Sequence, residues 1–599
     1  MNLVARFCLK PQNSTALLQL PWRLPGDAMR LRTLLPMVFV AVAQTSPALA
    51  ETYYRPVGLT MTGILLVLGF IALITWLNSL TREKPAPPPK PSDIYGTAAW
   101  AEAQTALNYI DASAGGLFLG QSCEAPPPGK AVARVGAPIF TAPVPPHHTL
   151  IVGSTRTGKG TRVIIPTLLR YAGSVFVVDP KGENAAVTAR TRRDMGHAVH
   201  IINPWGVLQP HFSRLGFTFA TYNPLDVLDR HDDNIVGVAE SLADAICVSD
   251  GRDVPYFREQ AASLLSAILL YLTDHPEETK TLARVREIVG MSAADFKKNI
   301  LVHMMASSAF DNAIKNRAGQ FDMDAKETYA GITSNLNRYT RFIDDLRLKA
   351  ATRQSTFRMI DIAGYGTAVY LVIPPEKLER QGTWLRLLLA ALTQTYKEFE
   401  TLLPKIGAPN APENPNPCLT LIDELPALGR LNDLPKDIAL IAAYGIRYAL
   451  IVQGMSQLKA IYGEDANTIL ANCACQWYCN VKDLESARTI SEKLGDKTVV
   501  TKSTSTTSGT AQSGETSSSS TTMGETGRRL LQANEVLQLG RDAAIALMPE
   551  GKPMYLRPID YWKLEAVFAG YRQYYPKLFW DPPLAPDPNP YAPRFKVTA

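Results

Sequence analysis

The sequence predicts a doubly wound α/β sheet that carries an inserted all-α domain and follows an N-terminal transmembrane hairpin. Three observations predict it. A glycine-rich GxxxxGK turn, residues 153–159, stands between a strand-like apolar run and a helical one. A second apolar run ends in the acidic pair Asp423–Glu424. The interval between these two motifs far exceeds what a compact α/β core needs, and much of it has helical periodicity.

The N-terminal hairpin rests on two uncharged apolar stretches, about 33–50 and 57–80, in a chain of 599 residues that is 46% hydrophobic. The second, LTMTGILLVLGFIALITWL, has the length a bilayer core requires, with Trp76 placed as an interfacial anchor. The first carries Pro36, Gln44 and Pro47 and ends in Ala48-Leu49-Ala50. Read from Met29 it is a signal-like segment, and read from Met1 it is the first helix of a hairpin. Arg23, Arg30 and Arg32 precede it, and Arg82, Lys84 and Lys90 follow the second stretch. Positive flanks of that kind stay on the cytoplasmic side, which puts the bulk of the chain there in either case. Residues 1–82 are therefore the expected membrane region, and the Pro-rich segment 83–95 a stiff linker.

The glycine-rich turn and its neighbours come next. HTLIVG (148–153) reads as a buried strand and TRVIIPTLLRYAG (161–173) as a helix broken early by Pro166. Between them Gly153, Ser154, Thr155, Arg156, Thr157, Gly158, Lys159, Gly160 and Thr161 are the candidate nucleotide-binding residues. Glycines let backbone N–H groups approach phosphates, the helix start favours anions, and Lys159 reaches the β- and γ-phosphates. Where a hydroxyl usually reaches Mg²⁺ the chain has Gly160, so Thr161 or a water is left for that role. Asp423 is the candidate to organise Mg²⁺ and Glu424 to polarise the attacking water. IRYALIV (446–452) is another buried strand, and Gln453 at its end either senses the γ-phosphate or caps a turn. ATP and Mg²⁺ are the expected cofactors.

Strands are expected at 149–153, 174–179, 199–203, 367–373, 418–422, 447–452 and 474–481. This places a nucleotide-binding domain at 96–227 and 351–565, and the all-α domain at 228–350. Cys473, Cys475 and Cys479 fall in an apolar strand with no histidine nearby, which favours packing over a metal site. Arg190, Arg192 and Arg193 read as a solvated helix face rather than a nucleic-acid contact. The Ser/Thr-rich segment 502–525 reads as a flexible surface loop and 566–599 as a Pro-rich tail. A formal charge of +6 permits a nucleic-acid or lipid partner without arguing for one.

YGTAAWA (95–101), GSTRTGKG (153–160), DPKGE (179–183), NPW (203–205), YNPLD (222–226), LIDELPALG (421–429), QGMSQLKAIYG (453–463) and DLESARTISEKLG (483–495) occur in that order. A final β-hairpin reaching Tyr561 follows them. Together they resemble the coupling proteins of type IV secretion systems, the TraG-type conjugative ATPases, over roughly residues 90–565. The glycine after the lysine is common in that family. The resemblance implies a RecA-like P-loop NTPase, a homo-hexamer in the bacterial inner membrane, at the base of a secretion channel. Its implied partners are the channel's inner-membrane components, a relaxase–DNA complex or effector proteins, and DNA. It also implies an arginine reaching a neighbour's nucleotide. The family position for it is Ala442 here, which leaves Arg447 and Arg488 as candidates. Two rivals stay open: a membrane-tethered DNA translocase of the FtsK type, and an ATP-binding receptor or scaffold without significant turnover.

Overall fold

The computed structural model describes residues 61–81 and most of 91–569. Within that span it leaves out 103–108, 110–114, 126–134, 142–146, 250–253, 322–325, 365, 403–417, 432–433 and 512–513. The first expected membrane stretch, most of the linker and all but the start of the tail lie outside the described residues. The chain divides into two units, 1–88 and 89–599, each taken by itself.

In the first unit a helix spans Met61–Thr81. Its side chains are described at Leu66 and from Leu68 to Leu77, and Leu66, Phe70, Ile71, Leu73 and Trp76 are exposed. Among the described residues no helix is long and apolar enough to cross a membrane.

In the second unit thirteen strands are described. They are β1 (Phe118–Cys123), β2 (Val135–Phe140), β3 (Thr149–Gly153), β4 (Val175–Asp179), β5 (Ala198–Ile202), β6 (Thr367–Val372), β7 (Cys418–Ile422), β8 (Ile446–Val452), β9 (Cys475–Cys479), β10 (Asp496–Ala511), β11 (Gly514–Arg529), β12 (Ala544–Leu547) and β13 (Met554–Arg557). Eleven of them form one sheet in the order β2-β1-β13-β12-β9-β3-β8-β7-β4-β6-β5. From β9 to β5 the strands are parallel. Strands β12, β13, β1 and β2 extend the sheet antiparallel. The seven expected strands are all present, and β1 and β2 are additional.

The parallel strands are continuous apolar runs because both faces of the sheet are covered. Successive side chains alternate between two cores. Leu150, Val152, Phe176, Val178, Leu450 and Val452 point into one core, while Ile151, Val177, Leu421 and Ile451 point into the other. The second core is closed by the helical segment after β3 and by the helix Glu183–Asp194, through Ile164, Leu168, Ala185 and Ala189.

The insertion between β5 and β6 is helical, as expected. Its helices include Ile235–Ile246, Pro255–Asp274, Leu282–Val289 and Lys326–Thr340. Leu242, Leu265, Ile268, Val285 and Leu336 belong to the same apolar cluster as Val152 and Leu450, so the insertion shares a core with the sheet.

Two expectations are corrected. The Ser/Thr-rich segment is not a flexible loop: β10 and β11 pair antiparallel with unbroken register from Asp496↔Arg529 to Ala511↔Gly514. Polar side chains cannot build a core, yet backbone pairing does not require one, and threonine suits an extended strand. Arg192 does not belong to a solvated face. It is fully buried, its guanidinium donates to the carbonyls of Leu168, Tyr171 and Gly173, and it lies 2.7 Å from His197 Nδ1. It gives a buried donor to carbonyls at and just after the end of the helix Ile165–Leu168.

Candidate nucleotide-binding site

Strand order gathers the motifs. β3 lies between β9 and β8, and β7 lies between β8 and β4. All five run parallel, so their carboxyl ends share one edge of the sheet. That edge carries Gly153, Asn480, Gln453, Asp423–Glu424 and Asp179, as the rule for ligand sites in open α/β sheets predicts.

The loop after β3 turns on positive φ at Arg156 (59°) and Gly158 (86°). A Cβ on Gly153 would lie 2.9 Å from the carbonyl oxygen of Cys479, so only glycine lets β9 approach this closely. Thr157 is buried and donates to Ser154 O at 2.7 Å, while Asn480 Nδ2 donates to Ser154 Oγ at 2.9 Å. Asn480 thus pins the loop from the neighbouring strand. After Lys159 the helix opens as a π-turn, Gly160–Ile164, before the α-helical turn Ile165–Leu168. The cause is Pro166, which has no N–H for Arg162 O and whose ring crowds that carbonyl. The backbone widens instead, and Ile165 N–H donates to Gly160 O.

Lys159 Nζ donates to Gly153 O within its own loop. Burial lowers its pKa, and the carboxylates of Glu424 and Asp423 oppose that. Burial pushes Asp423 up to about 6, with Lys159 pulling it down and Glu424 pushing it further up. Asp179 is buried more completely and is pushed up to about 7, although Ala185 N–H donates to it at 2.8 Å. Asn184 Nδ2 lies between the two, 3.4 Å from Asp179 Oδ1 and 3.5 Å from Asp423 Oδ2. Two desolvated carboxyls are thus joined by one amide.

Glu424 sits at φ 93°, ψ 60°, a strained conformation for a residue with a Cβ. Gln453 Nε2 donates to both of its carboxylate oxygens at 3.1 Å. The next residue, Gly454, faces Asp483: a Cβ there would fall 2.5 Å from Asp483 Oδ1. Asp483 caps the helix Leu484–Leu494, and Ser486 Oγ accepts from Met455 N at 2.8 Å. The turn that carries Gln453 therefore rests on a helix cap.

The structure brings Lys159, Asp423, Glu424 and Gln453 together. It does not bring Thr161 to them. Thr161 Oγ1 donates to Asp560 Oδ1 at 3.0 Å, and Arg162 Nε donates to the same oxygen at 3.0 Å. A Cβ on Gly160 would meet nothing within 4 Å, so the place of the missing hydroxyl is open space. Arg447 is fully buried near the amino end of β8, donating to Gly115 O at 2.7 Å, which removes it as an arginine that reaches a neighbouring chain. Arg488 is exposed on the helix Leu484–Leu494. Asp179, Asn184 and Asn480 were not assigned roles from sequence. Asp179 and Asn480 carry the same signal as Asp423, a polar residue closing a buried strand.

Cys475 and Cys479 point into one core and Cys473 into the other. Burial raises all three thiols, those of Cys475 and Cys479 to about 12.

The family model for type IV secretory system conjugative DNA transfer matches residues 104–578. The chain belongs to that family. Among curated relatives, Protein VirD4 of Agrobacterium fabrum is 28% identical over 422 residues, covering 69% of this chain and 58% of its own length. Conjugal transfer protein TraG of Escherichia coli is 28% identical over 410 residues, covering 66% of this chain and 62% of its own. The chain thus spans about three fifths of these relatives. A solved structure, bacterial conjugative coupling protein TrwBdeltaN70 in a trigonal form with sulphate, superposes with a TM-score of 0.51 at 14% identity. It covers 78% of this chain and 96% of that one. That likeness is one of fold.

Proposed function

We propose that the chain is an ATP-hydrolysing coupling protein of a type IV secretion system, which recruits substrate and drives or gates its transfer. The observation that carries this reading is the meeting of Lys159, Asp423, Glu424 and Gln453 at one sheet edge within a conjugative DNA transfer family member. The loop amides and Lys159 hold the phosphates. Mg²⁺ when bound offsets phosphate charge, and the desolvated Asp423 beside Asp179 suits it, with water in the open space over Gly160. Glu424 takes the proton of the attacking water once Gln453 releases its carboxylate. Gln453 passes that change to the cap at Asp483. Arg488 is the remaining candidate to reach a neighbour's nucleotide in a homo-hexamer.

We place the chain at the bacterial inner membrane, anchored through its N-terminal region, residues 1–82, with channel components and a relaxase–DNA complex or effectors as partners. The family assignment displaces the chromosome-partitioning reading. The scaffold reading keeps one supporting observation, the absent hydroxyl at Gly160.

The test is ATP turnover with and without single- and double-stranded DNA. Glu424→Gln is expected to retain ATP binding and lose roughly 10²–10⁴-fold in turnover. Lys159→Ala is expected to lose both. Transfer that persists in Glu424→Gln would hand the assignment to the scaffold.

A further inference from the structure

Where the insertion meets the long helix Pro375–Leu402, a cavity of about 280 Å³ is lined by four arginines: Arg338, Arg341, Arg380 and Arg386. No aspartate or glutamate lines it among the described residues. The arginines come from three elements: the helix Lys326–Thr340, the 3-10 turn Arg341–Asp344, and the long helix. Asp344, three residues after Arg341, is held elsewhere by Arg286 in a two-pronged contact at 2.7 and 3.1 Å. Glu379, next to Arg380, opens onto a neighbouring cavity.

Arg386 is the most informative of the four. Its Nε donates to Ala245 O at 3.2 Å, Nη1 to Leu428 O at 2.9 Å, and Nη2 to Thr383 Oγ1 at 2.7 Å. All three acceptors are neutral. A desolvated cation with only neutral acceptors gains most from an incoming anion. The same three contacts bolt together the helix Ile235–Ile246, the long helix, and the turn Leu425–Leu428 that directly follows Glu424.

Arginines from three elements around one cavity suit a tetrahedral phosphate, which several guanidinium groups can share, better than a planar carboxylate, which one fork satisfies. Tyr339 and Phe342 also line the cavity with largely buried rings, and a run of arginines that tracks successive phosphates is the electrostatic chemistry of single-strand binding. We propose that this cavity binds the phosphodiester backbone of single-stranded nucleic acid, and that Arg386 relays its occupation to the turn behind Glu424. This rests on the coupling-protein reading and adds to it a site for the strand.

The test uses the full chain in detergent, a fluorescein-labelled 20-nucleotide single strand, and anisotropy across a salt series, with ATP turnover measured in the same samples. Arg341 and Arg380 are exposed, so Arg341→Glu/Arg380→Glu is expected to fold, as a matching thermal midpoint checks. It is expected to bind the strand about tenfold or more weakly and to lose about 1.4 from the log–log salt slope, two single-strand contacts at about 0.7 each. Arg341→Lys/Arg380→Lys should keep most of the affinity. Arg386→Lys should bind the strand within about threefold, yet lose the rise in turnover that the strand produces. Unchanged affinity and slope in the Glu pair, with the unmodified chain still binding, would overturn the site and leave the coupling reading standing. Displacement of the label by polyglutamate as readily as by unlabelled DNA would overturn it in favour of an acidic peptide. No strand binding by the unmodified chain would overturn it too, and turnover in that sample then decides whether the ATPase reading survives.

Discussion

Two glycines in one loop carry opposite demands. At Gly153 a side chain would strike the Cys479 carbonyl, whereas at Gly160 it would meet open space. Gly153→Ala is therefore expected to cost about 1–3 kcal/mol and to weaken ATP binding. Gly160→Ser is expected to leave the melting temperature within about 2 °C. Thermal melts of both variants check this, and equal damage at the two sites would contradict the geometry. His148 makes a second residue-scale prediction. It is buried, with its Nε2 2.7 Å from Ile438 O, and its Nδ1 accepts from Tyr448 N at 2.9 Å. Burial lowers its pKa to about 4. The unfolded chain binds a proton there below about 6.5 and the folded chain does not, so stability is full above pH 6.5 and falls as pH drops towards 4. The loss is roughly 3 kcal/mol. Denaturant titrations at pH 7 and pH 4.5 should show it, and His148→Gln should remove that increment. The nucleotide residues were legible because Asp423 and Gln453 each close an apolar strand, and Lys159 ends the glycine-rich turn that follows another. Thr161 misled because proximity in sequence says nothing of which side of a widened turn a hydroxyl faces.

At the scale of elements, buried parallel strands announce themselves as apolar runs, and β3, β4, β6, β7 and β8 stood within a residue or so of where such runs fall. β1 and β2 are interrupted by Gly120 and Pro138; β2 pairs with β1, and β1 is held by long-range pairing to β13, which no local pattern displays. The β10–β11 hairpin was missed for the opposite reason: its pairing is local, but its composition carries no burial signal. Among the described residues the hairpin pairs only with itself apart from its base. There Thr97 bridges Lys497, and Glu525 accepts from Ser92 N at 2.8 Å. Replacing residues 503–522 by a short turn is therefore expected to shift the melting temperature by no more than about 2 °C. A large drop would mean that the distal hairpin packs on something else.

At the scale of the whole molecule, the insertion and the large sheet bury one continuous apolar cluster, from Val285 and Leu336 through Leu242 to Val152 and Leu450. The second unit is accordingly expected to unfold in denaturant as one cooperative step, with insertion and sheet probes superimposing. An earlier transition confined to 228–350 would show that the shared core is not continuous in energy. The boundary expected from sequence at 228 and 350 falls inside the excursion between Ile202 and Thr367, and packing does not stop at it. Chimaeras between relatives follow from that. A graft cut at those two points would carry half of an interface to a host shaped for the other half. Its recipient would have to bring the matching face of the long helix and the turn at Leu428 along with it. The insertion in such a protein is inherited as a seam rather than as a cassette.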